Sequence, residues 1–409
     1  MCNSRIRCLS QSHLSDTMNP ERGKIMIRET HSAVCPEQYL TAAGLDPERV
    51  IYFDIETTGL RASTSQLYMI GWAVRVRNDS SGMDNFSSDQ ENPWIVTQIM
   101  AESYAEETLL LREFADELVK YDTIVEFNGD RFDLPYMREK YASHRMTDPF
   151  EGLRTVDLYQ KIRPCRTLLG MTRLNQKSVE QFLHITREDP YNGGELINVY
   201  RSVRSHSSDD IDASIRSLFL HNYEDVLGML EMTPVISYPM ISCCDAPVSW
   251  RLLDADGAPI AEDTESLSEA ASFLEASFSL CVPVPRNIET DMGSYRIDVT
   301  GDNVCITIPL ELRTMYHFFP DYRDYYYLPE EDTAIHKSVA CFVDPAYRKK
   351  ATQQNCYVKK EGIFLPQREE RFQPCFRSSC KDKTSCFELT RELLQDEESF
   401  SSWIHSLIP

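Results

Sequence analysis

Three β-prone runs follow one another early in the chain, and they leave little freedom for what its first half can become. Val50–Ile55 is a short apolar run, Gln66–Val76 alternates apolar and polar residues, and Trp94–Met100 is rich in β-formers. Three successive strands are expected, the second and third as a hairpin. The Ser-, Asp- and Asn-rich stretch Asn78–Asn92 reads as the polar loop between them. Glu106–Tyr121 then carries Leu110, Phe114 and Leu118 at helical spacing. Thr123–Phe127 is another β-prone run, ending in the turn-forming Asn128-Gly129, and Leu134–Ser143 resumes a helical pattern with Pro135 in its first turn. Val156–Leu158 reads as a last short strand and Gln176–Ile185 as a helix. Asp209–Met232 is a longer helix with Ile211, Ile215, Leu218, Asn222 and Val226 on one face.

Beyond Pro234 the texture changes to hairpin signals at Asp254–Gly257, Thr300–Asn303 and Lys359–Gly362, so a second, α+β domain is expected. Its helical candidates are Ser266–Ser277, Glu330–Val343 and Cys386–Leu407. A length of 409 residues favours two domains over one core. The expected division is a flexible leader over 1–40, a first domain over 41–240 and a second over 241–409. Apolar runs fall well short of the ~20 residues a membrane span requires, and residues 1–30 lack the apolar stretch of a secretory signal. The 13 cysteines, an odd number spread through a large chain, suit reduced thiols and a cytoplasmic location. Cys375, Cys380 and Cys386 have spacings that match no common zinc site.

A net charge of -22 argues against a wholesale electrostatic grip on a polyanion. Any such grip must be local, for example through divalent cations held by carboxylates. Arg348, Lys349, Lys350, Lys359 and Lys360, interrupted by Tyr347 and Tyr357, form the one basic cluster that stands out; it is either a nucleic-acid strip or a solvated face.

Three acidic segments carry the chemistry. Asp54 and Glu56 sit two apart at the end of the first strand, so both carboxylates project from one face. Acid-x-acid pairs arise by chance in so acidic a chain; the apolar strand Ile51–Ile55 that leads into this pair and the break at Gly59 give it weight. Asp133, in Phe127-Asn128-Gly129-Asp130-Arg131-Phe132-Asp133-Leu134-Pro135, lies where a strand gives way to a helix and is either a helix cap or a ligand. His221 and Asp225, in His221-Asn222-Tyr223-Glu224-Asp225, lie four apart on the long helix and so share a face.

Three antiparallel strands followed by alternating helices and strands is the order of a ribonuclease-H-like α/β fold. In that order, the three acidic segments resemble motifs I, II and III of the DEDD (DnaQ-like) 3′→5′ exonuclease superfamily, and within it the YprB-type ribonuclease-H-like family. The second also resembles the proofreading exonuclease of B-family DNA polymerases. The likeness spans about residues 48–235. It implies a mixed five-stranded sheet flanked by helices and a metal-dependent nuclease acting on a single-stranded 3′ end, DNA slightly before RNA. Asp54, Glu56, Asp133 and Asp225 would hold two divalent cations, Mg²⁺ or Mn²⁺, and His221 would take the place of the residue that orients or deprotonates the nucleophile. This chain departs from both common subtypes, because His221 has the spacing of the tyrosine type and the side chain of the histidine type. Thr57, Gly59, Leu60, Asn128, Phe132 and Tyr136 would line the path of the terminal nucleotides, with Asp157 and Lys177 behind the site. The alternatives are a binding module that keeps the fold without catalysis and a structure-specific endonuclease.

Overall fold

The computed structural model describes residues 26–76, 93–260 and 270–409. The expected loop Asn78–Asn92 falls wholly outside them. The chain divides into two compact units, the first running through Arg166 and over Met171–Ser237, the second comprising Thr167–Gly170 and Tyr238–Pro409.

Among the described residues, the first unit builds a six-stranded mixed sheet from β1 (Ile27–Val34), β2 (Val50–Thr57), β3 (Leu67–Arg75), β4 (Pro93–Met100), β5 (Thr123–Glu126) and β6 (Arg154–Asp157). Their order is β1-β4-β3-β2-β5-β6. Strands β1 to β4 pair antiparallel, whereas β5 and β6 join parallel to β2. The five expected strands are present. The sixth, β1, lies where a flexible leader was expected: Ile27–Val34 pairs with β4 along its whole length, and α1 (Glu37–Ala42) follows. Its burial pattern is mostly half-exposed, as befits an edge strand, and His31 and Ser32 interrupt the apolar alternation that would have marked it.

Helices cover both faces of this sheet. Alternate residues Ile51, Phe53 and Ile55 of β2 face a core completed by Leu110, Leu111 and Phe114 of α2 (Glu107–Leu118) and Met137 and Tyr141 of α3 (Asp133–Ser143). Tyr68, Met69 and Met100 meet Leu196 and Tyr200 of α6 (Gly193–Arg204) and Leu218 and Phe219 of α7 (Ile211–Met232). Two shorter helices, α4 (Leu158–Ile162) and α5 (Gln176–Phe182), lie between β6 and α6. The sequence reading passed over α6, although Asn192 and Glu195 form a reciprocal capping box at its start.

The second unit is β-rich. A five-stranded antiparallel sheet has the order β7 (Ser249–Leu253), β8 (Phe273–Ser279), β11 (Asn303–Pro309), β10 (Arg296–Thr300), β9 (Ile288–Asp291). Two three-stranded sheets follow, β12 (Leu312–Phe318), β16 (Tyr357–Gln367), β17 (Ser385–Glu388) and β14 (Thr333–His336), β13 (Tyr325–Leu328), β15 (Lys349–Lys350). Several expected helices are corrected. Ser266–Ser277 lies partly outside the described residues and otherwise enters strand β8. Glu330–Val343 is strand β14 and one helical turn, Lys337–Ala340. Cys386–Leu407 begins in β17 and becomes helical only at Arg391–Gln395 and Glu397–Ser406. Of the expected turns, Thr300–Asn303 closes the β10–β11 hairpin, but Lys359–Gly362 runs inside β16. In each corrected case, sheet pairing overrides a local pattern of weak propensity.

Candidate active site

The site is assembled on the α7 side of β2. Because side chains alternate along a strand, Asp54 and Glu56 leave the face opposite Phe53 and Ile55 and point toward the long helix. Asn222 of α7 reaches β2, its Nδ2 donating to Asp54 Oδ2 at 2.9 Å while its Oδ1 accepts from Gln98 Nε2 at 2.9 Å. The amide is therefore fixed in orientation and holds one oxygen of Asp54. This approach is possible only because β3 offers Gly71 opposite Asp54: a Cβ there would lie 2.1 Å from Asn222 Oδ1.

One turn of α7 then serves the site four times. His221 Nε2 lies 3.3 Å from Asp225 Oδ2 and 3.7 Å from Glu56 Oε1, so the imidazole faces two of the acids. Its other nitrogen, Nδ1, lies 2.6 Å from Asp189 Oδ2. Asp225 Oδ1 receives Arg187 Nη1 at 2.5 Å, and Arg187 also grips Glu180. Glu224 anchors the loop that delivers these groups, accepting from the amides of Glu188 and Asp189 at 2.8 and 2.9 Å. Tyr223 turns elsewhere and its ring meets His31.

Asp133 is the first residue of α3; the cap position falls to Phe132, and no side chain caps the helix. Burial pushes the Asp133 carboxyl up to about 7, its own amide and that of Ile55 pulling the other way and Asp225 adding repulsion. Asp54 and Glu56 are raised well above the ordinary carboxylate range, first by burial and then by the negative charges of Asp225 and Asp133. Asp54, Glu56 and Asp133 thus share, beside Asp225, a neighbourhood whose electrostatics disfavour their ionisation. Glu56, His221 and Asp225 each bring one ligand atom within 4.8 Å of the others. A set made chiefly of carboxylate oxygens, in which Arg187 pairs with Asp225 and no Lys or Arg pairs with Asp54, Glu56 or Asp133 among the described residues, fits hard divalent cations.

The remaining expected residues fall in different places. Thr57 is buried and its hydroxyl donates to the Gly59 carbonyl. Leu60, 83% exposed, stands out from the following turn. Phe132 packs against the core and its ring meets that of Tyr136, which is buried with its hydroxyl 2.8 Å from Ser65 Oγ. Asn128 takes a left-handed conformation and donates its amide to Asp157, which caps α4. Lys177 donates to the Tyr191 carbonyl and lies 3.6 Å from Asp189. The sequence reading did not single out Arg187, Asp189, Glu180 or Glu224. Arg187 and Asp189 lie in the loop between α5 and α6, Glu180 on α5 and Glu224 on α7, and only the fold brings the first three to α7.

In the second unit, Lys359 pairs with Asp332 and Lys360 with Glu388, while Arg348 and Lys350 lie over the Tyr326 ring. Much of the basic cluster is therefore engaged within the chain. The eleven cysteines of the described residues are free thiols. Among those residues, no helix is long and apolar enough to cross a membrane.

A six-stranded mixed sheet with helices on both faces, and acids gathered above its central strand, defines a ribonuclease-H-like domain. Residues 51–236, just under half of the chain, match the model of the RNase H superfamily. Such a domain is consistent with a nuclease. Comparison with curated proteins finds no match. Among solved structures, the family B DNA polymerase of the hyperthermophilic archaeon Pyrobaculum calidifontis aligns with a TM-score of 0.35 and 15% identity, over 48% of this chain and 28% of the polymerase chain.

Proposed function

We propose that the first unit is a metal-dependent 3′→5′ exonuclease of the DEDD type, close to the YprB-type family, that hydrolyses single-stranded nucleic acid in the cytoplasm, DNA slightly in preference to RNA. The observation that carries this reading is the convergence of Asp54, Glu56, Asp133 and Asp225 from three distant segments on one buried neighbourhood. These four residues would hold a pair of Mg²⁺ or Mn²⁺ ions. Bound there, such ions activate a water, polarise the phosphoryl oxygen and stabilise the leaving 3′ oxygen.

The chain's own groups have separate tasks. Asn222 fixes one oxygen of Asp54 and leaves the other for a ligand. With Asp189 at its Nδ1 and Nε2 facing the acids, His221 would orient the attacking water or take its proton. Arg187 holds one oxygen of Asp225 and turns the other toward His221. Leu60, exposed in the turn after β2, would offer an apolar contact to a terminal base.

One observation favours a second reading, a binding module without catalysis: Arg187 already supplies Asp225 with a positive charge. Incubating the chain and Mn²⁺ with 5′-labelled linear DNA, linear RNA and circular single-stranded DNA separates the possibilities. Shortening from the 3′ end, lost in Asp54→Asn, is expected. Cleavage of the circle would indicate an endonuclease, and absence of cleavage on all three substrates would leave the binding module.

A further inference from the structure

We propose that Glu126, Asp130 and Asp157 form a site for a hard divalent cation, built from residues other than the four acids above. The placement begins in the sheet. Glu126 ends β5 and Asp157 ends β6, and the two are register partners across the parallel pair, so two carboxylates stand side by side at the strands' carboxyl ends. Like charges directly opposite one another destabilise a sheet unless something lies between them. Asp130, in the turn that follows β5, closes the third side: one carboxylate oxygen from each of the three residues lies within 4.8 Å of the other two.

The backbone aims these side chains. Glu126 Oε2 accepts the Gly129 amide, and the turn wraps so closely that a Cβ on Gly129 would lie 2.7 Å from that oxygen. Asp157 Oδ1 accepts the amides of Asn128, at 2.9 Å, and Gln160, at 3.2 Å. In each carboxylate one oxygen is thus anchored by main-chain donors. The other, Glu126 Oε1 or Asp157 Oδ2, is buried and has no hydrogen-bond partner, although the two residues are only 1% and 4% exposed. Two orphaned buried acceptors are costly. None of the three acids forms an ion pair among the described residues, so no side-chain cation supplies the compensation. Burial, and then the Asp157 charge, push the Glu126 carboxyl up to about 9, so its ionised form at neutral pH calls for a counter-charge at this place.

Oxygen donors alone select a hard cation, and the exposed Asp130 leaves one side open to water, as Mg²⁺, Mn²⁺ and Ca²⁺ all tolerate. Since the Asn128–Asp130 turn leads directly into α3, a cation here would brace the segment that carries Asp133.

The test counts ions on the full chain by the electron paramagnetic resonance of free Mn²⁺. Asp54→Ala/Asp225→Ala is expected to retain one Mn²⁺, displaced by Ca²⁺ or Mg²⁺. Adding Glu126→Gln should remove it, and adding Asp130→Asn should weaken it. In the otherwise unaltered chain, Asp130→Asn, a change at an exposed position, should lower the Mn²⁺ count or affinity at one site and leave circular dichroism unchanged. The proposal is overturned if the folded double variant holds no Mn²⁺, or if Glu126→Gln and Asp130→Asn leave binding unaltered. It is equally overturned if Glu126→Gln raises the melting temperature without changing Mn²⁺ uptake, since the carboxyls then share a proton. Loss of nuclease activity plays no part in this readout, so it stands apart from the exonuclease reading.

Discussion

At the scale of single residues, Asp189 determines what His221 can do. In the proposed hydrolysis, the carboxylate at Nδ1 would leave Nε2, which faces Asp225 and Glu56, as the nitrogen that takes a proton; an amide in the same place loses that preference. Asp189→Asn is therefore expected to lower kcat by about 10²-fold or more with little change in KM, and to alter the pH profile of the proposed hydrolysis. Steady-state kinetics on a labelled oligonucleotide would check this. The acids Asp54, Glu56, Asp133 and Asp225 were legible because each sits where an element ends or on a helix face whose apolar neighbours mark its direction. Asp189 and Arg187 were not, because their partner lies more than thirty residues away and nothing local distinguishes a loop charge that is buried from one that is solvated.

At the scale of elements, α7 can approach β2 only through the gap at Gly71. Gly71→Ala would force Asn222 out of its place, and a loss of about 1–3 kcal/mol in urea denaturation is expected, the ordinary cost of overpacking a core. Convergence of β2, α3 and α7 also sets a pH dependence. Asp133 has a folded pKa of about 7 against an ordinary 3.8, and Asp54 and Glu56 are shifted the same way. Between those values the folded chain binds more protons than the unfolded one, so stability is greatest at the acid end and falls as pH rises from about 4 to 7. In EDTA the urea midpoint should decline over that window. Saturating Mn²⁺ should raise it far more at pH 7 than at pH 4.5. The strong periodicity of α7 and the compact apolar runs of β2 and β5 made these elements readable in advance. Strand β14, by contrast, carries its pairing partners in β13, and a four-residue run has too few positions to declare its period.

For the whole molecule, a net charge of -22 leaves few phosphates that Lys or Arg could neutralise. Binding of single-stranded DNA by the metal-loaded chain is expected to depend only weakly on monovalent salt, a slope of about -1 to -2 in log affinity against log concentration, and to vanish in EDTA. Fluorescence anisotropy across a salt series would measure it; a steep slope would point to an extended basic surface instead. The change in texture after Pro234 announced a second unit, and its hairpins were partly readable, but its helical candidates gave way wherever a neighbouring strand paired with the backbone, as β13 does with β14.

The strand Ile27–Val34 shields the outer rim of β4 over eight paired positions. Trimming a recombinant chain to the first obvious strand, Val50–Thr57, would leave that rim's amides and carbonyls bare, a template for stacking one molecule onto the next. The folded core of this domain thus starts at Ile27, well ahead of its most conspicuous motif.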